Sequence, residues 1–132
     1  MSIILDEYRL SWALRYIREA YVDLLTAEKD PIPAMSISYA LRAMRKSQTA
    51  VYYSLGDPAY LTPLINQKIV DEKKTKNALM LVLIRMEKLV QRDSGLAETL
   101  GKNVILEEAR NLTGLASSIV DLILHAANES MA

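Results

Sequence analysis

Residues 78–84, ALMLVLI, are apolar at every position, and this run constrains the fold more than any other stretch of the chain. A helix that is apolar on all sides must be covered by a membrane, by its own chain or by another chain. A membrane-spanning helix needs about 20 mostly apolar residues. Arg85 ends the run, and Glu87 and Lys88 follow. The sequence therefore predicts no membrane span and leaves a central bundle helix or an interface helix.

Proline and glycine divide the chain into four predicted helices. The first runs from about residue 6 to 27, where apolar residues recur at helical spacing, and it ends at KDPIP, residues 29–33. The second begins near Pro33 and ends at Leu55, with Gly56 as its C-terminal cap.

The third predicted helix is interrupted. Thr62 is its predicted N-cap and Pro63 its first residue. The sequence DEKKTKN at residues 71–77 is polar on all sides for two turns, so we expect a kink or break there. Apolar residues resume at 78–90, and RDSGL at residues 92–96 ends the helix.

The fourth predicted helix begins at Ala97 or Lys102 and ends near Asn128. Within it, TGLASS at residues 113–118 is a succession of small residues. Small side chains let another helix backbone approach closely, although a glycine such as Gly114 costs a helix about 1 kcal/mol. We therefore expect tight helix packing at this segment.

These elements predict a single all-α domain, residues 1–132, folded as an antiparallel up-down bundle of four or five helices. Each helix of such a bundle normally keeps one face in water. The run at 78–84 therefore predicts either a fifth packing element or a second copy of the chain on its outer side. Met80, Val82 and Ile84 are the residues of this run that we predict at an interface.

Composition fits a self-associating intracellular domain. Hydrophobic residues make up 51% of the chain, which hints that a partner covers part of the surface. There is no cysteine, and the start MSIILDEYRL lacks the basic region and apolar core of a signal peptide. We therefore expect a cytoplasmic homodimer.

Charge is balanced overall but unevenly distributed. The net charge at pH 7 is zero, which gives no long-range attraction to nucleic acid. Residues 61–92 hold 7 basic and 3 acidic residues, and residues 93–132 hold 2 basic and 6 acidic. Two interpretations remain open: neighbouring helices attract each other, or the basic segment faces an anion or an acidic partner.

No pattern indicates catalysis, a metal site or a cofactor. His125 is the only histidine, and the Glu-x-x-His pair of di-metal bundles is absent because Leu122 stands three residues before it. Asp121 lies one helical turn from His125, but two ligands do not make a catalytic metal site. With no cysteine and four scattered glycines, a thiol nucleophile and a phosphate loop are also excluded.

Arg42, Arg45 and Lys46 form the main candidate for anion or nucleic-acid binding. Their spacings of three and four place them on one side of the second helix. Together with Arg15 and Arg18 of the first helix they could line a groove for phosphate groups. The alternative is that these cations pair with nearby acids or are simply solvated.

Tyrosines are confined to the first 60 residues, where Trp12 also lies. Tyrosine buries area while its hydroxyl stays in water, which suits interfaces, and with basic residues nearby it can also stack nucleobases. Ordinary packing at the core boundary is the third interpretation. Tyr52 and Tyr53 are the tyrosines that we predict at an interface.

The stretch SYALRAMRKSQTAVYYSLGD, residues 38–57, with YIREAYVDLLTAEKD before it, resembles the opening helix pair of HEPN-type bundles. The resemblance implies a small antiparallel helical domain of a class that pairs with nucleotidyltransferases or cleaves RNA. Its ribonuclease members share an Arg-x4–6-His motif. Here Ser118, Ile119 and Val120 stand at those spacings before His125, so the resemblance implies a non-catalytic member.

Taken together, the sequence predicts a non-enzymatic, self-associating bundle that acts as a scaffold or adaptor for another protein. The alternative is an RNA- or nucleotide-binding, HEPN-like domain without ribonuclease activity.

Overall fold

The computed structural model describes residues 7–131. These fold into five α-helices, and no strand occurs among them. The all-α class is therefore confirmed, with five helices. Their bounds are α1 Glu7–Lys29, α2 Pro33–Leu55, α3 Pro58–Lys68, α4 Ala78–Leu100 and α5 Lys102–Met131, and a 3₁₀ segment, Ile69–Lys74, follows α3.

The first two helices match their predicted bounds closely. A tight turn joins them, in which the Asp30 carboxylate accepts a hydrogen bond from the backbone N–H of Ile32 at 2.9 Å. Pro33 occupies the first turn of α2, where its missing N–H costs nothing. At the other end, the Gly56 N–H donates to the Tyr52 carbonyl at 2.8 Å and closes the last turn.

The predicted start of the third helix was wrong. Asp57, not Thr62, is the N-cap of α3: its carboxylate accepts from the Ala59 N–H at 2.9 Å, and Pro58 follows in the first turn. Pro63 lies inside the helix. Asp57-Pro58 and Thr62-Pro63 both place a capping residue before a proline. The sequence pattern does not distinguish them, and the prediction fell on the second pair.

The predicted break at residues 71–77 is confirmed. The backbone of Asp71 leaves helical geometry, and Asn77 caps α4 by accepting from the Met80 N–H at 3.0 Å. However, α4 does not end at residues 92–96. It kinks at Leu96 and continues to Leu100, so α5 begins at Lys102.

α2 is the central helix, because it packs against each of the other four. Its pairing with α1 runs in opposite chain directions: Ser36 donates to the Ala27 carbonyl at 2.6 Å, and Tyr53 near the end of α2 stacks on Trp12 near the start of α1. Against α5, Ser47 donates to Thr113 at 3.0 Å. Buried small residues on both helices allow this approach: Ala40, Ala43, Ala50, Ala109 and Ala116.

The apolar run at 78–84 is only partly covered by its own chain. Leu83 and Ile84 are buried in the core, whereas Leu79 is 38% exposed and Met80 to Val82 are half-buried. The chain therefore covers one side of the run and leaves part of its outer side in water.

Candidate interaction site

The surface where α4 and α5 lie side by side, here called the α4–α5 face, is the candidate site. Val82 and Leu89 of α4 and Leu112 and Leu115 of α5 line a shallow apolar groove of about 220 Å³. Leu122 stands seven residues after Leu115, on the same side of α5. Leu115 is 47% and Leu122 71% exposed. Two adjacent helices that expose an apolar row at heptad spacing can pack against further helices.

The two helices of this face differ in charge. On α4, Arg85 and Lys88 both pair with the single carboxylate of Glu72, whose pKa is lowered mainly by the hydrogen bond from Lys88. On α5, Glu107 and Asp121 are exposed. The exposed surface of α4 is therefore basic and that of α5 acidic.

A charged cluster crosses the seam between α4 and α5. The Arg92 guanidinium donates from Nε to Asp93 Oδ1 at 3.2 Å and from Nη2 to Glu108 Oε1. Glu108 stands seven residues before Leu115, so it continues the same row on α5. Asp93 is fully buried, whereas half of the Arg92 side chain is exposed.

The other carboxylate oxygens of this cluster, Asp93 Oδ2 and Glu108 Oε2, are buried and have no hydrogen-bond donor within the described part of the chain. Burial, together with a hydrogen bond to Glu108, raises the pKa of Asp93 to about 6. The hydrogen bond from Asp93 lowers the pKa of Glu108. These opposite shifts favour a proton on Asp93 that is donated to Glu108, which would give both buried oxygens a partner.

Two of the predicted interface residues lie in the core. Ile84 is fully buried because it stands one turn before Glu87, on the side of α4 that faces α2. Tyr52 is 4% exposed. Their side chains therefore have no surface to offer a partner, whereas Met80, Val82 and Tyr53 are half-buried and keep part of theirs.

A buried polar cluster between α2 and α4 was missed by sequence reasoning. Glu87 accepts hydrogen bonds from Gln48, from Gln91 at 3.0 Å and from Arg45 at 3.0 Å. Gln48 also donates to the Tyr52 hydroxyl at 2.9 Å. Burial, and secondarily the charge of Glu87, raises the pKa of Tyr52 to about 12. The available signal was the position of Glu87 on the apolar side of α4, next to Ile84 and Val90.

The three predicted anion-binding residues lie together but differ in their partners. They line a shallow depression of about 360 Å³ with Ser38 and Ser94. Arg45 pairs with Glu87, and Lys46 pairs with Asp23 at 2.8 Å. Only Arg42 is exposed without a carboxylate partner in the described structure; its guanidinium lies 5.5 Å from the centre of the Tyr39 ring.

Arg15 and Arg18 do not join this group. The Arg15 guanidinium lies 4.9 Å from the centre of the Trp12 ring. Trp12 also stacks on Tyr53, and Tyr53 stacks on Tyr16 at 5.5 Å. Arg18 instead lines a separate groove of about 560 Å³ between the start of α1 and the end of α5.

The His125 side chain contacts the backbone of Asp121 and not its carboxylate: Nδ1 lies 2.8 Å from the Asp121 backbone oxygen. Within residues 7–131 no three His, Cys, Asp or Glu side chains come together as metal ligands. No helix in this range combines the length and apolar composition that a membrane crossing requires. No family model, curated protein or solved structure matches the chain.

Proposed function

We propose that this chain is a non-enzymatic, self-associating helical bundle, in which the α4–α5 face packs against the same face of a second copy, and that the pair serves as a scaffold for another protein. The observation that carries the proposal is the exposed apolar row formed by Leu115 and Leu122 beside the groove of Val82 and Leu89. Exposed apolar rows of this kind mark interaction surfaces.

The size of the face suits a second copy. α4 has 23 residues, which makes it about 35 Å long at 1.5 Å per residue. With helix axes about 10 Å apart, the α4–α5 face covers roughly 700 Å² per protomer. Stable interfaces bury about 800 Å² per partner.

Charge also favours a second copy as the occupant. A twofold axis parallel to the helices places α4 of one copy over α5 of the other. The basic exposed surface of α4 then lies opposite the acidic exposed surface of α5 in the partner copy. One chain thus carries both halves of a complementary pair, which sets orientation as well as affinity.

A second surface is open to a different protein. The aromatic ladder on α1 and α2 contains Tyr8, which is 68% exposed, and the partly exposed Trp12, Tyr16 and Tyr53. Aromatic side chains of this kind are enriched at protein interfaces. Since the ladder lies outside the α4–α5 face, self-association leaves it accessible.

The test is sedimentation equilibrium of the wild type, Leu122→Glu and Val70→Glu. Leu122→Glu places a charge in the apolar row, whereas Val70, 86% exposed on the 3₁₀ segment, is a matched control outside the face. We expect the wild type and Val70→Glu to dimerise equally and Leu122→Glu to be monomeric. A wild type that stays monomeric up to millimolar concentration, or equal weakening by both substitutions, contradicts the proposal.

The alternative function, a HEPN-like module that binds RNA or a nucleotide, is supported by the depression that Arg42, Arg45 and Lys46 line together. It predicts RNA binding that weakens steeply with salt and is reduced by Arg42→Ala. Lys68→Ala, an exposed cation on α3, is the control. Fluorescence anisotropy with a labelled single-stranded RNA distinguishes the two functions, because the scaffold proposal expects no difference between these variants.

A further inference from the structure

In the seam cluster, the single positive charge of Arg92 is shared by two carboxylates, those of Asp93 and Glu108. Arg92 binds one oxygen of each carboxylate, and the second oxygen of each is buried without a donor among the described residues. Two ionised carboxylates with a single guanidinium carry a net charge of −1. Buried like charges at short distance are costly, and one proton between them removes the cost.

We propose that Asp93 and Glu108 share one proton across the α4–α5 seam, and that this proton controls self-association through the α4–α5 face. The inference rests on the proposed function. It adds a regulator to the same surface: protonation favours the dimer, and loss of the proton favours the monomer.

The position of the cluster connects the proton to the face. Glu108 belongs to the row that continues through Leu115 and Leu122, and Arg92 is half exposed beside it. A second copy that covers the face removes the cluster from water. With the proton present the cluster is neutral and can be covered; without it, a net negative charge would be covered as well. Dimerisation therefore takes up protons.

The charges around Asp93 come from three helices. Arg92 on α4 and Glu108 on α5 act on it directly. On α2, the depression that reaches Ser94 is lined by Arg42, Arg45 and Lys46, and the last two are already paired with Glu87 and Asp23. Arg42, the third, lies over the Tyr39 ring and forms no ion pair with Asp93 or Glu108. Among the described residues, Arg92 is therefore the one cation that pairs with either carboxylate.

The experiment measures the dimer dissociation constant by sedimentation at pH 5.5 and pH 7.5. All proteins carry His125→Gln, which removes the only histidine of the chain. His125 itself lies 17 residues beyond Glu108 on α5, about 25 Å away. Asp93→Asn replaces the shared proton with an amide that donates to Glu108 without titrating. Glu98→Gln, exposed near the end of α4, removes an equal charge outside the pair.

We expect dimers of the parent and of Glu98→Gln to be at least tenfold tighter at pH 5.5 than at pH 7.5, and those of Asp93→Asn to be tight at both. Glu108→Gln, which also supplies an amide to the pair, should lose the pH dependence even if Asp93→Asn folds poorly. A dimer whose affinity is the same at both pH values overturns the proton control but leaves self-association intact. Monomers at both pH values, for the parent and both amide variants, overturn self-association and the control together.

Discussion

The buried carboxyl of Asp93 should make the stability of the folded monomer depend on pH. Its pKa rises from an ordinary value of 3.8 to about 6 in the folded chain. Because the raised pKa belongs to the folded state, folding takes up a proton between these two values, and the free energy of unfolding falls as pH rises through this window. The lowered pKa of Glu108 acts in the opposite sense, but only where pH falls below its ordinary value of 4.5.

The magnitude follows from the size of the change. At 1.36 kcal/mol per pKa unit, an ionised Asp93 costs the folded state roughly 3 kcal/mol at neutral pH. About half of this cost, roughly 1.5 kcal/mol, develops between pH 5 and pH 7.5. Asp93→Asn cannot ionise, and its amide can donate to Glu108 Oε2 while its carbonyl still accepts from Arg92.

Urea unfolding followed by the fluorescence of Trp12, the single tryptophan, measures this cost. The protein is kept dilute, and midpoints are checked at two concentrations so that dimerisation does not contribute. We expect Asp93→Asn to be more stable than the wild type at pH 7.5 and its advantage to shrink by roughly 1.5 kcal/mol at pH 5. Taking the difference between variant and wild type at each pH cancels the contributions of groups that the two proteins share. A constant difference, or an advantage that grows toward pH 5, would refute the shared proton.

Three further substitutions test the packing. Gly114→Ala should stabilise the folded protein by about 0.5–1 kcal/mol, because no atom lies within 4 Å of an added Cβ and alanine favours helix. Gly101→Ala should destabilise it by about 1 kcal/mol, because the backbone there has φ +86°. Thermal unfolding measures both variants, which make the same substitution and should shift the unfolding temperature in opposite directions. Destabilisation by Gly114→Ala would mean that α5 has no room for a methyl group at this position. Glu87→Ala should cost about 2 kcal/mol, since buried Gln48 loses its acceptor. Glu98→Ala, exposed on the same helix, is its control in urea unfolding, and equal effects would show that Glu87 is not a buried acceptor.

Local sequence signals predicted the parts of the fold that depend on neighbouring residues. The bounds of α2 follow from Pro33 and Gly56, and the break after α3 follows from the polar residues 71–77. The start of α3 failed because two cap-and-proline pairs, at Asp57 and Thr62, compete within six residues.

The side chains of the candidate sites have partners that are distant in the sequence, and the sequence did not indicate these partners. Helical spacing placed Arg45 beside Arg42 and Lys46, but it did not indicate the ion pair of Arg45 with Glu87, 42 residues away. Lys46 is likewise paired with Asp23. Nothing near Asp93 in sequence indicates that its side chain meets Glu108 across a helix seam. Helical periodicity places a residue on a side of its own helix, whereas the identity of its partner depends on which helices become neighbours.

The central position of α2 has a consequence for how the molecule opens. α1, α2 and α5 pack extensively on one another, whereas α4 makes only modest contacts with α2, α3 and α5 and none with α1 in the described structure. The break at residues 71–77 gives α4 a hinge at one end, and Gly101 gives it another. Local unfolding follows the weakest boundary, so backbone amides of α4 should exchange with solvent water ahead of those in the other three long helices. If a second copy binds to α4, it should therefore slow the hydrogen exchange of α4 amides more than that of amides in α1, α2 and α5.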